Sequence, residues 1–364
     1  MAHDADTVPE NHDVLRPWGP AGPPPPRRWS PDVLGAGYSA QTLPLLPDEE
    51  GPAVATLVKY TPPKQLLPPR AQCLYIHGRN DYFFQTELAE HFAAQGVQFF
   101  ALDLRKHGRS LRPWQTIGAA TDMSIYDEEI GIAMDVLHRE GSDLPLFLMG
   151  HSTGGLIATV WAYRHPGAAS GLILNAGWLE LQAMASWRPA LQQVMNRIAQ
   201  INPNAVVIAN KHPDKYGPSL TLGWSGSGLP LPKRLDGYKD DPAVAGWPIF
   251  PQWRHSPSYP VTAGWMRAIM EAQDIVAREV HLDCPVLSIC STGSASAEEW
   301  SPAIFSNDIV LDADIIVERS AHLADVVTIA RLPGKHDMTL SDPDVRAKMY
   351  QVLQAWLRGV LGTL

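Results

Sequence analysis

The sequence predicts an α/β fold, with a mostly parallel sheet, helices on both of its faces and one segment inserted over it. Three observations point there. Short, wholly apolar runs such as "QCLYIHG", "LPLFLMG" and "CPVLSIC" alternate with amphipathic stretches of helical period, the pattern of strands covered by helices on both sides. Ahead of most of them, "YSAQTLPL" and "AVATLVKY" alternate apolar with polar residues as an antiparallel pair does. The rhythm stops after Gly177 and resumes at Cys284, and the residues between are dense in proline, glycine and tryptophan.

Taken in order, residues 1–35 read as a proline-rich arm, extended rather than packed, with "GPPPPRRW" at 22–29. Residues 36–177 and 271–364 read as the core. After the antiparallel pair and the run at 72–78 comes a helix in "FFQTELAEHFAAQG", closed by Gly96, and then the strand "VQFFALDLR". The helix "SIYDEEIGIAMDVLHREG", the strand "LPLFLMG", the helix "GGLIATVWAYRH" and the strand "ASGLILNAG" continue the alternation. Residues 178–270 read as an inserted cap. Beyond "CPVLSIC", the last strand is "VVTIARLPG" and the last helix "DPDVRAKMYQVLQAWLRGVLG".

Composition narrows the function. The 364 residues are 45% hydrophobic and 18% charged, which suits a globular protein able to bury a sizeable core. No apolar run approaches the ~20 residues of a membrane span. The opening "MAHDADTVPENHDVL" is polar and acidic where a secretory signal needs a basic start and an apolar centre, so a cytoplasmic location is expected. A net charge of −9 argues against a nucleic-acid partner. Cys73, Cys284 and Cys290 lie in or beside strand-like runs without metal or CxxC spacing, and the glycine clusters lack nucleotide-binding spacings. No cofactor or metal is expected.

One motif carries chemistry. Gly150-His151-Ser152-Thr153-Gly154-Gly155 joins a predicted strand to a predicted helix, the setting in which a serine sits on a strained turn with its hydroxyl raised above the sheet. Gly150 and Gly154 must be small because strand and helix crowd against them. The helix start below favours a developing negative charge. An oxyanion needs two preorganised donors; the N–H of Thr153, after the nucleophile, supplies one, and the N–H of Arg79, after the strand end His77-Gly78, supplies the other. His77 itself reads as a structural hydrogen-bonder.

The strand end His77-Gly78, the loop Asp103-Leu104-Arg105-Lys106-His107-Gly108-Arg109-Ser110 and the Ser152 motif together resemble the α/β-hydrolase superfamily. Within it they are similar to the group of monoacylglycerol lipases, lysophospholipases and S33 aminopeptidase-like enzymes, whose pattern is HG, then D-x-R-G-H-G-x-S, then G-H-S-M-G-G. Lys106 and Thr153 depart from that pattern without removing a reacting atom. The resemblance covers about residues 60–178 and 283–362 and implies the α/β-hydrolase fold with an eight-stranded sheet. It also implies a general base in the loop after the last strand, which makes His336 the candidate over His322; imidazole titrates in the right range for that role. Where the group places its aspartate after "PVLSIC", this chain has Ser294. Asp308 in "SNDIVLDAD" is the first candidate, with Asp312, Asp314, Glu298, Glu299 and Glu180 remaining open, while Asp337 is discounted as the neighbour of the base.

The expected activity is that of a serine hydrolase acting on a small-molecule carboxylic ester through an acyl-enzyme on Ser152. An acyltransferase using the same residues, a peptidase and a non-catalytic binding protein are the alternatives. No carboxylate cluster for a substrate amine can be assigned in the cap. The cap tryptophans Trp178, Trp187, Trp224, Trp247, Trp253 and Trp265 favour an apolar or aromatic acyl group.

Overall fold

The apolar runs become strands and the amphipathic stretches helices. In the computed structural model, which describes residues 28–363 apart from 65–66, 142, 182–187, 210–214 and 297, the chain begins with β1 (Ser30–Pro31), β2 (Tyr38–Asp48), β3 (Gly51–Tyr60) and β4 (Ala71–Ile76). Then follow α1 (Thr86–Ala94), β5 (Val97–Asp103), α2 (Tyr126–Glu140), β6 (Leu146–His151), α3 (Thr153–Arg164) and β7 (Gly171–Asn175). The next stretch carries α4 (Arg188–Ile201), β8 (Val206–Ile208), α5 (Tyr216–Thr221), α6 (Pro242–Ala245), β9 (Val261–Thr262) and α7 (Ala263–Arg278). The chain closes with β10 (Val286–Ser291), α8 (Ala303–Ser306), α9 (Ala313–Ser320), β11 (Val327–Leu332) and α10 (Pro343–Leu361).

Nine strands form one sheet in the order β1-β2-β3-β5-β4-β6-β7-β10-β11, and β8 pairs with β9 in a small second sheet. From β5 to β11 every neighbouring pair is parallel, whereas β1, β2 and β3 join antiparallel. Strand alternation divides the core. Leu74, Ile76 and Leu148 face one side and pack with Ile130 of α2, Leu156 of α3 and Ile269 of α7. Cys73, Tyr75 and Phe147 face the other and pack with Phe92 of α1 and Leu353 of α10. The three cysteines are buried free thiols.

Two details differ from the sequence reading. Most of the proline-rich arm lies outside the described residues, but its end is packed: Ser30 and Pro31 add the ninth, two-residue strand on the open edge of β2, Trp29 Nε1 donates to Glu140 at 3.0 Å, and Asp32 pairs with Arg109 at 2.7 Å. An exposed strand edge invites such a cover. Further on, the segment expected as a cap to residue 270 gives way at Ala263 to α7, which buries Ile269 and Met270 in the main core.

Candidate active site

Ser152 stands where β6 hands over to α3, at φ 52° and ψ −117°. That backbone is costly for a residue with a side chain, and its neighbours hold it. The Ser152 N–H donates to the Asn175 carbonyl at 3.0 Å, and the Ser152 carbonyl accepts from Trp178 N–H at 2.9 Å. A Cβ on Gly150 would lie 2.3 Å from the Gly154 carbonyl oxygen, and one on Gly154 would lie 2.3 Å from the carbonyl oxygens of Ile76 and His77. Only glycine fits either place, as the motif implies.

His336 follows β11 in a buried loop, and its Nδ1 lies 2.8 Å from Asp308 Oδ2. The other Asp308 oxygen, Oδ1, accepts the N–H groups of Val310 and Leu311 at 2.8 and 2.7 Å. None of the other carboxylates considered reaches the imidazole. Asp312 caps α9, Asp314 pairs with Arg331, Glu298 and Glu299 are exposed, and Glu180 is held by Arg188 and Arg319. Asp337 points elsewhere, accepting from Asn175 at 2.7 Å and from Thr339. His322 is exposed in the turn after α9 rather than within a helix.

The place of Asp308 in the chain has a spatial explanation. Ser294 and Asp308 form an isolated parallel bridge, with Asp308 N–H donating to Gly293 at 3.0 Å and Ala295 N–H to Asp308 at 2.9 Å. The residues between them bulge away as a loop carrying α8. Asp308 therefore stands beside the position where the motif led one to look.

Ser152, Thr153, Arg79 and His336 line one cavity of about 480 Å³. Gly78 tucks against Ser152, since a Cβ there would lie 3.2 Å from Ser152 Cβ. Leu104 N–H donates to His77 Nε2 at 3.1 Å, which leaves the proton on Nδ1 facing the Gly78 carbonyl; burial lowers His77 to about 4, so it stays neutral and structural. His151 packs its ring 4.9 Å from that of His336, and burial lowers it to about 4 as well. A neutral His151 spares His336 a like charge.

Much of the cavity lining is apolar: Trp178, Leu181, Ile208, Val261, Trp265, Met266, Val310 and Leu311. Of the cap tryptophans, Trp178 and Trp265 face the cavity. Trp224 stacks on Phe305 with centroids 3.9 Å apart, Trp247 and Trp253 pack around Tyr82 and Phe84, and Trp187 lies outside the described residues. The lining also holds groups that sequence reasoning missed. Arg254 Nη1 donates to Asp81 Oδ1 at 2.7 Å, and burial pushes the Asp81 carboxyl up to about 7 against the pull of Arg254. The signal available was a charged residue in each of two aromatic runs, "NDYFF" and "PQWRH". Ligand atoms of Asp81, His151 and Asp337 lie close enough together to hold a metal; Asn175, Thr339 and Gln85 take the Asp337 carboxylate and Arg254 takes Asp81 Oδ1, while Asp81 Oδ2 has no hydrogen-bond partner among the described residues. Lys335, buried beside His336, donates to the Ser219 carbonyl at 3.0 Å and ties the His336 loop to α5.

Residues 67–292 match the family described as serine aminopeptidase, S33 (Hydrolase_4). The chain belongs to that family. It is 26% identical to the monoacylglycerol lipase of Mycolicibacterium smegmatis over 226 residues, which cover 61% of this chain and 69% of that one. It is 32% identical to phospholipase YtpA of Bacillus subtilis over 117 residues, or 31% of this chain and 43% of that one. Among solved structures, the monoacylglycerol lipase of Paleococcus ferrophilus superposes with a TM-score of 0.57 at 18% identity, covering 80% of this chain and 96% of its own. The fold is that of the α/β-hydrolases, and the chain is a serine hydrolase of the monoacylglycerol lipase-like group. No helix of the described residues is long and apolar enough to cross a membrane.

Proposed function

We propose that this enzyme cleaves a carboxylic ester with a single apolar acyl chain through an acyl-enzyme on Ser152. The observation that carries the reading is convergence: Ser152 on its strained turn, His336 backed by Asp308, and the amides of Arg79 and Thr153 meet at one cavity with much apolar lining. His336 takes the proton of Ser152 as Oγ attacks the ester carbonyl, and Asp308 holds the imidazole in the tautomer that can accept it. The amides of Arg79 and Thr153 stabilise the oxyanion. Neither amide has a hydrogen-bond acceptor among the described residues. On collapse His336 returns the proton to the leaving alcohol, and water then releases the acid by the same steps in reverse order of roles.

The acyl chain lies along Trp178, Leu181 and Val310, and the alcohol lies toward Asn80, Arg254 and Ser256. An α-amino peptide fits less well, because a single carboxylate, Asp81, lines the cavity among the described residues and Arg254 already offsets its charge through Oδ1. The mycobacterial and archaeal relatives named as monoacylglycerol lipases support the ester.

The test is labelling with a fluorophosphonate probe together with turnover of p-nitrophenyl esters of increasing acyl length. The wild-type protein labels at Ser152 and favours medium to long acyl groups, and Ser152→Ala abolishes both labelling and turnover. Folded wild-type protein that does not label would sink the covalent mechanism. Ester products in place of free acid on adding alcohols would reassign the enzyme to acyl transfer.

A further inference from the structure

The residue that supplies one oxyanion amide is an arginine whose side chain runs away from the nucleophile. Its Nη1 donates to Ser258 Oγ at 3.1 Å, and its Nη2 donates to the carbonyls of Tyr259 and Pro260 at 2.7 and 2.9 Å. The guanidinium lies 4.1 Å from the centroid of the Tyr259 ring and 4.7 Å from that of Trp265. The three residues that follow hold the same stretch of chain. Asn80 brackets the backbone of His255, with Nδ2 donating to its carbonyl at 2.8 Å and Oδ1 accepting its N–H at 2.9 Å. Asp81 takes Arg254, and the Tyr82 hydroxyl accepts Phe250 N–H at 3.0 Å. Residues 250–260 of the inserted segment thus form a strap along the loop that follows Gly78.

That loop needs a template. Asn80 has φ 48°, a left-handed backbone that a side chain disfavours, and the Arg79 amide precedes it directly. A substrate-binding arginine would offer its Nη groups to the cavity, yet both Nη atoms of Arg79 are committed to the strap. No carboxylate pairs with it among the described residues. What the guanidinium provides is a planar fork that reaches three acceptors while stacked on aromatic rings, a combination that lysine cannot reproduce.

We propose that the side chain of Arg79 is a positioning group for its own amide: by anchoring to residues 258–260 it makes the strap part of the oxyanion site. The inserted segment then contributes to the rate as well as enclosing the substrate. The inference rests on the oxyanion role given to Arg79 above.

Kinetics of Arg79→Ala, Arg79→Lys and Tyr259→Leu on a p-nitrophenyl ester test it, alongside affinity for an arylboronic acid, whose tetrahedral serine adduct presents an oxyanion mimic. A misplaced donor lowers kcat by about 10- to 100-fold with KM changed less than about threefold. Boronate affinity falls in step and Arg79→Lys does not restore either; Tyr259→Leu, which removes both the ring under the guanidinium and the hydroxyl that accepts Asn80 N–H at 3.2 Å, lowers both as well. A kcat within about twofold of wild type in Arg79→Ala, or a fall in kcat with boronate affinity unchanged, overturns the proposal. If Arg79→Ala does not fold, the same comparison of kcat with boronate affinity in Arg79→Lys and Tyr259→Leu decides it. Wild-type protein that fails to label at Ser152 removes the oxyanion reading, and this proposal with it; normal labelling with an unaffected Arg79→Ala removes this proposal alone.

Discussion

Asp308 uses its two oxygens for different tasks. Oδ1 takes two backbone donors and Oδ2 faces His336 Nδ1, so the group accepts three N–H bonds while fully buried. An asparagine has one acceptor oxygen and must turn its amide nitrogen toward one set of donors. Either the loop loses its anchor or His336 is held in the wrong tautomer. Asp308→Asn should therefore lower kcat by about 10³- to 10⁴-fold with Ser152 and the cavity intact, whereas Asp312→Asn, which keeps a good helix cap, leaves turnover near wild type. Steady-state kinetics of the two variants check this, and near-normal turnover in Asp308→Asn would move the acid elsewhere. Ser152 and His336 were legible because each sits at a fixed offset from a strand end. Asp308 was only one of several choices, since a loop of arbitrary length separates it from its strand. Asp81 and Arg254 were marked only by a charge within an aromatic run, and Lys335 by nothing, because their partners come from segments distant in the chain.

The same limit holds for elements. Composition marks the tryptophans of the inserted segment as a group, but packing divides them by task. Trp224 stacks on Phe305 of α8 and donates its indole N–H to Asp342 at 2.9 Å, just before α10. It ties three elements together and does not line the cavity. Trp224→Ala should destabilise the fold by about 3–5 kcal/mol, read from chemical denaturation, while kcat/KM on a short ester stays near wild type below the melting temperature. A large kcat/KM loss with normal stability would show that this element acts on the site. Helix α7 shows why composition does not mark where the inserted segment ends. Its first turn carries Trp265 and Met266 at the cavity, and its next carries Ile269 and Met270 into the main core. A single helix serves both regions, so no change of composition marks the join.

At the scale of the molecule, the parallel sheet and its two helical layers follow from the alternation of apolar runs, whereas the two- and three-residue strands β1, β8 and β9 are too short to show a period. Function places a further demand on the whole fold, visible in its response to acid. Burial lowers His77 and His151 to about 4 and His107 to about 3. Each folded value lies below the unfolded value near 6.5, so unfolding takes up protons between the two. The stability held by these neutral rings is complete above about pH 6.5 and is lost as pH falls through that window. Asp81, raised to about 7, acts in the opposite sense by keeping a proton that the unfolded chain releases. The contribution of His107 is testable alone: between pH 7 and 5, wild-type protein should lose about 2 kcal/mol more unfolding free energy than His107→Asn. Equal losses would show that His107 is not buried neutral. The bridge between Ser294 and Asp308 carries a lesson of another kind. Because its ends are stitched side by side, the number of residues between them is free to drift without moving the carboxylate. The chain can lengthen the detour and still arrive at the same address, so residues added there extend the surface while both ends of the bridge stay in place.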